Sequence, residues 1–172
     1  MKGLARLSLL AGALALAPYA WSQDEGASSF LKQAAEGNLA EVELAEVAQE
    51  RAARQEVKEY AQNLEREHEK ANEKLKSMAE QKNVELPDEP GETHEQLKEQ
   101  LSDLQGQAFD QAYLKTMVQE HQKTIQSFEQ QAKTAQDPEI KQFAEQTLPT
   151  LREHLKQAQQ LQQQAGGQSR ER

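Results

Sequence analysis

The sequence predicts an all-α fold, a four-helix bundle made of two antiparallel hairpins with a short extra helix in the central connection. Three observations carry this. Apolar residues recur every three to four positions through four segments of roughly 25 residues, and nothing alternates with the period of two that a strand needs. The Pro- and Gly-containing stretch Asn83–Gly91 separates the second segment from the third, and Gln136-Asp137-Pro138 separates the third from the fourth. The turns expected near residues 54 and 137 are short, so each flanking pair must run antiparallel.

Taken in order, residues 1–22 read as a secretory signal peptide. Lys2 and Arg6 give the positive start, Leu7 to Ala17 the apolar core, and Ala20-Trp21-Ser22 a small-x-small cleavage pattern near Ser22. This predicts export to a periplasm, with no stable membrane insertion after cleavage. Residues 23–29 form a polar leader in which Ser28 or Ser29 can cap the next helix. The bundle then occupies residues 30–163. Its first helix runs from Phe30 to about Ala53, with Leu31, Ala34, Asn38, Glu41, Ala45, Ala48 and Ala52 on one face and a kink or late start expected at Gly37-Asn38. The second runs from about Glu56 to Lys82 with the stripe Val57, Ala61, Leu64, His68, Ala71, Leu75 and Met78, opposite a Glu/Lys/Arg/Gln face.

Thr93 to Leu104 is a short amphipathic helix in the connection, broken at Gly106. Its His94 lies off the apolar side and is expected to be exposed. The third long helix, from about Gln107 to Ala135, presents Asp110, Leu114, Met117, His121, Ile125 and Phe128 together. Asp137 is placed to cap the fourth, with Pro138 at its first position. That helix runs to about Gln163, carries Ile140, Ala144, Thr147, Leu151, His154, Ala158 and Leu161, and should bend at Pro149. Residues 164–172 are expected to be a disordered tail.

The charge balance is acidic, 29 Asp and Glu against 20 Lys and Arg, and losing Lys2 and Arg6 takes the formal charge from −9 to −11. That argues against nucleic acid and anionic lipid as partners, since both are bound through Lys and Arg. There is no cysteine, which excludes disulfides, thiolate metal sites, thiol catalysis and a lipid anchor. No phosphate loop, nucleophile elbow or His-Glu-x-x-His pattern is present.

The candidate site follows from depth. His68 is about 14 residues past the first turn, His121 about 16 before the second and His154 about 17 after it, so each falls mid-helix. Glu41 reaches the same level on the first helix. Three imidazoles and a carboxylate converging in an apolar interior are ligands for Zn, Cu or Fe. The metal set is therefore His68, His121 and His154, with Glu41 or Met117 completing the shell and Glu65, one turn before His68, within reach. Only Glu65-x-x-His68 matches the half-motif of di-iron bundles, since Val118 and Leu151 stand where further carboxylates would be needed, so a single ion fits better. Tyr60 and Tyr113 read as packing residues with a hydroxyl hydrogen bond.

The segments AAEGNLAEVELAEVA, VKEYAQNLEREHEKANEKL, LQGQAFDQAYLKTMVQEHQKTIQSFE and IKQFAEQTLPTLREHL resemble a bacterial domain-of-unknown-function family of the ferritin-like superfamily, often labelled predicted outer membrane protein. The resemblance spans about Ser29 to Leu161 and implies a ferritin-like bundle in the envelope, with no assigned activity. The chain also resembles a related secreted bundle family for which copper handling has been suggested, but Glu120-His121 replaces that family's His-His pair. Three functional readings result. The first is an exported bundle binding one transition-metal ion. The second is a stress-related structural or chaperone-like bundle, protein partners undefined, whose histidines form a core hydrogen-bond network. The third, an oxidase on the same scaffold, needs more carboxylates than these positions offer.

Overall fold

The computed structural model describes residues 17–168, with side chains for residues 25–165. Among the described residues five helices follow one another: α1 (Ala17–Arg51), α2 (Gln55–Gln81), α3 (Glu92–Ser102), α4 (Gly106–Thr134) and α5 (Pro138–Gln168). Among the described residues there is no strand, only an isolated bridge between Ala52 and Gly106. None of these helices is long and apolar enough to cross a membrane.

Three boundaries differ from the sequence expectation. α1 already runs from Ala17, so the expected polar leader is helical, and Ser29 accepts a hydrogen bond from Gln33 at 3.1 Å instead of capping a start. No proline interrupts the stretch after Pro18, and Gln, Glu and Ala are good helix formers. α1 also continues through Gly37-Asn38 without a break. At the other end, α5 extends to Gln168 with Ala165 buried, where a disordered tail was expected. Apart from Ala17, the apolar core of the expected signal peptide lies outside the described residues, as do residues 169–172.

The turn from α1 to α2 has neither Gly nor Pro, and a distant residue explains how it holds. Asp110, fully buried on α4, accepts the Ala53 amide at 2.9 Å on one carboxylate oxygen and the Arg54 amide at 3.1 Å on the other. Arg54 in turn reaches α5, donating to the Leu161 carbonyl at 3.2 Å and to Gln164 at 2.9 Å. The α4–α5 turn is locally encoded: Asp137 accepts the amides of Glu139 (2.8 Å) and Ile140 (3.2 Å), an N-cap with Pro138 following it. Pro149 lies inside α5, as expected.

α2 ends in a Schellman turn. Asn83 takes φ 53°, Val84 donates to the Ala79 carbonyl at 2.9 Å, and Asn83 donates to Glu80 at 3.3 Å. Lys82 pairs there with Asp137 and Glu139, which ties this end to the α4–α5 turn. The chain next reappears at Gly106, bridged to Ala52 at the opposite end. The connection holding α3 therefore travels the length of the molecule, and α3 packs chiefly on α1. α1 packs most extensively on α2 and α4 on α5, with further contacts of α1 on α4 and α2 on α5.

The core is divided. One apolar cluster takes Leu44 to Ala48 of α1 with Ala52 just beyond it, Val57 to Leu64 of α2, Phe109 to Met117 of α4 and Ala158 with Ala165 of α5. The other takes Phe30 to Ala35, Leu75 to Ala79, Ile125 with Phe128, and Ile140 to Leu151. On each of these four helices, the interval between the clusters carries buried polar residues: Asn38 and Glu41, His68, His121, and His154. A polar layer thus crosses the waist of an otherwise apolar interior.

Candidate metal centre

The three histidines meet in that layer. Their ring centroids are 5.8 Å (His68–His121), 5.5 Å (His68–His154) and 5.3 Å (His121–His154) apart. One nitrogen from each lies within 4.8 Å of the others. Glu41 Oε2 is 3.0 Å from His68 Nε2 and 3.4 Å from His121 Nε2.

Each imidazole spends its other nitrogen on an acceptor behind it. His68 Nδ1 is 2.9 Å from Asn38 Oδ1, His121 Nδ1 is 2.9 Å from the Met117 carbonyl, and His154 Nε2 is 2.8 Å from Glu67 Oε2. An amide oxygen, a backbone carbonyl and a carboxylate all accept, so each ring proton sits on the outward nitrogen. The inward nitrogens face the polar layer, His68 Nε2 nearest to the Glu41 carboxylate. His68 Nε2, His121 Nε2, His154 Nδ1 and Glu41 Oε2 are buried and none has a hydrogen-bond partner of acceptable geometry.

The electrostatics agree with neutral rings. Burial pushes His121 below its usual range, against the pull of the Glu41 charge. Burial, reinforced by His121 and His68, takes His154 down to about 4, with Glu67 opposing. Burial raises Glu41, but the charges of His121 and His68, once protonated, outweigh it and hold the carboxyl down to about 2. At neutral pH the layer therefore presents the Glu41 carboxylate beside neutral His121 and His154 imidazoles.

Residues 15–161 match the family described as Domain of unknown function (DUF4142). The chain belongs to that family. The chain is also similar in structure to the crystal structure of a DUF305 fragment from Deinococcus radiodurans. The TM-score is 0.72 at 16% identity over 80% of this chain and 95% of that one, a likeness of fold. No curated protein matches the sequence.

Within this DUF4142 chain the remaining expected site residues divide. Met117 is fully buried in the cluster below the polar layer, and it meets His121 through its carbonyl. Glu65 turns away from His68 and accepts from Gln49 at 2.5 Å. Two partners were not singled out from sequence. Asn38 was placed on the right face but given no role, and Glu67 sits off the stripe yet reaches across to α5. Tyr60 donates to the His154 carbonyl at 3.3 Å, as a packing residue should. Tyr113 has no partner for its buried hydroxyl, and burial with the Glu41 charge nearby raises its pKa so that the phenol keeps its proton. His94 is not exposed as expected. The long connection lays α3 over α1, leaving the His94 side chain only 15% exposed between Glu36 and Glu120.

Proposed function

We propose that this chain is an exported, ferritin-like four-helix bundle of two antiparallel hairpins that binds a single transition-metal ion through His68, His121, His154 and Glu41. One observation carries the reading: three imidazole nitrogens within 4.8 Å of one another and the Glu41 carboxylate face one buried space. A proton can bridge two such atoms, whereas a divalent cation satisfies all four. Ligating histidines commonly donate their outer N–H to a carboxylate or carbonyl, and all three do so here. The size fits as well. Ligand atoms about 2.0–2.1 Å from a tetrahedral ion lie about 3.3 Å apart. Glu41 is already at that spacing from two nitrogens, and a side-chain adjustment of about an ångström closes the rest. The donor set suits Zn, Cu or Fe. The single long crossover is the connection that ferritin-like bundles use. A structural bundle with a closed histidine network would pair all four atoms, whereas Glu41 reaches only His68 and His121 and leaves His154 Nδ1 without a partner.

The test is metal content of the purified protein, by mass spectrometry, beside a His68→Ala/His121→Ala/His154→Ala variant. About one equivalent is expected in the first and none in the second. Protein that carries no ion and takes up none of Zn²⁺, Cu²⁺ or Co²⁺ on titration would end the proposal.

The pH dependence has a definite sign. His154 falls from 6.5 to about 4 and Glu41 from 4.5 to about 2 on folding. Both folded values are depressed, so both groups contribute stability above their unfolded pKa that is lost as pH falls through the folded one. The melting temperature of metal-free protein is expected to drop between pH 6.5 and 4 and to continue dropping below. Because His121 and His154 give up their protons below the ordinary histidine range, bound metal should be retained below pH 6.5. Release centred at or above pH 6.5 would contradict this.

A further inference from the structure

Gly37 has no local reason to be a glycine. It lies in the middle of α1, where glycine costs about 0.5–1 kcal/mol relative to alanine. Its φ is not in the left-handed region, and a Cβ built there would meet nothing within 4 Å, so no neighbouring chain needs the close approach either. What the missing side chain leaves is space. Gly37 lines a cavity of about 200 Å³ between α1 and α4. A water takes about 30 Å³ of liquid, so the cavity has room for a cation and several waters.

The cavity joins two sets of polar groups. Glu41 lines its inner part, with a side chain 5% exposed and Oε2 unpartnered. Glu36, His94 and Glu120 line it as well. His94 Nδ1 is 3.8 Å from Glu36 Oε1, and His94 Nε2 is 4.0 Å from Glu120 Oε2, both too long for hydrogen bonds. His94 Nδ1 is itself buried without a partner. Glu36 stands at the Nδ1 edge of the ring and Glu120 at the Nε2 edge, so the three form a charged rim and do not converge on one ion. Lys123, 76% exposed, lies 3.8 Å from Glu120, and Glu120 with Glu36 raises the pKa of His94. The two sets are also close along the helices. Glu120 immediately precedes His121 on α4, and Glu36 is five residues, about 7.5 Å, before Glu41 on α1.

We infer that this cavity is the route by which a divalent cation reaches the buried layer, with the Glu36 and Glu120 carboxylates attracting it and Gly37 keeping the passage open. The inference rests on the metal-centre reading and adds how the site is filled. A passage changes the barrier to binding without changing its endpoints, so arrival and departure should slow together when it is blocked.

The test is stopped-flow uptake of Co²⁺ by metal-free full-length protein, followed by its visible absorbance, with release measured on adding chelator. Gly37→Leu fills the cavity while improving helix propensity, and so is expected to fold. Its association and dissociation rates should both fall at least about tenfold, with Kd within about twofold and one equivalent still bound. A Glu36→Gln/Glu120→Gln variant should slow association in the same direction. Gly37→Ala adds propensity with little bulk and should exchange at near the unmodified rate. Rates unchanged in Gly37→Leu, at full stoichiometry, would overturn the route and leave the metal centre standing. Equal slowing by Ala and Leu would assign the effect to stiffening of α1 and overturn it too. Unmodified protein that binds no Co²⁺ would end both readings.

Discussion

A His121→Leu protein is expected to lose its metal and to be harder to unfold without it. Structural zinc sites supply about 10–16 kcal/mol over four ligands, so losing one should weaken binding by about 3 kcal/mol, a factor of about 100 to 1000. The stability effect has the opposite sign. His121 is completely buried, and its Nε2 is unpartnered. An unsatisfied buried polar group costs about 1–3 kcal/mol, and leucine, of similar volume, would bridge the two apolar clusters instead. The lost bond from Nδ1 to the Met117 carbonyl is worth about 1 kcal/mol, and Glu41 keeps the nearer nitrogen, His68 Nε2 at 3.0 Å. The metal-free variant should therefore gain about 1–3 kcal/mol. Denaturant unfolding in chelator measures this directly. A loss of several kcal/mol would make the imidazole part of the core's structure and remove the argument from orphaned atoms.

How much of this was legible in the sequence depended on whether an interaction lay along one helix or between helices. The four inward atoms came from depth and face alone, because helical periodicity fixes which side a residue takes and short turns fix its height. The groups behind them did not. Glu67 immediately precedes His68, so it points to a different side of α2, among many outward glutamates that look alike in sequence. Only the packing of α2 on α5 brings it to His154. His94 was misjudged for a related reason: its own helix marks it as off the apolar side, but the path of the long connection decides what covers it. Gly37 was noticed as an irregularity and assigned to the backbone. The helix runs through it unperturbed, and the space beside it belongs to a neighbouring helix that local sequence cannot place.

Asp110 shows the same division in its strongest form and gives the second large effect. Periodicity places it on the apolar stripe of α4 and gives it no partner. It faces instead the turn between α1 and α2, taking two amides that no local residue could satisfy. Hydrogen bonds to a charged acceptor contribute about 1.5–3 kcal/mol each, and partial exposure of the turn lets water recover some of that. Asp110→Ala is expected to destabilise by about 3 kcal/mol, roughly 6–12 °C in melting temperature for a chain of this size. Asp110→Asn should lose nearly as much, because one carboxylate oxygen becomes an NH₂ facing an amide N–H. Metal binding should survive in both, since Asp110 lies eleven residues, about 16 Å, along α4 from His121. Thermal melting beside metal titration separates the roles. If Asp110→Ala kept its melting temperature but lost its ion, Asp110 would belong to the site, and the turn would be held by Arg54 alone.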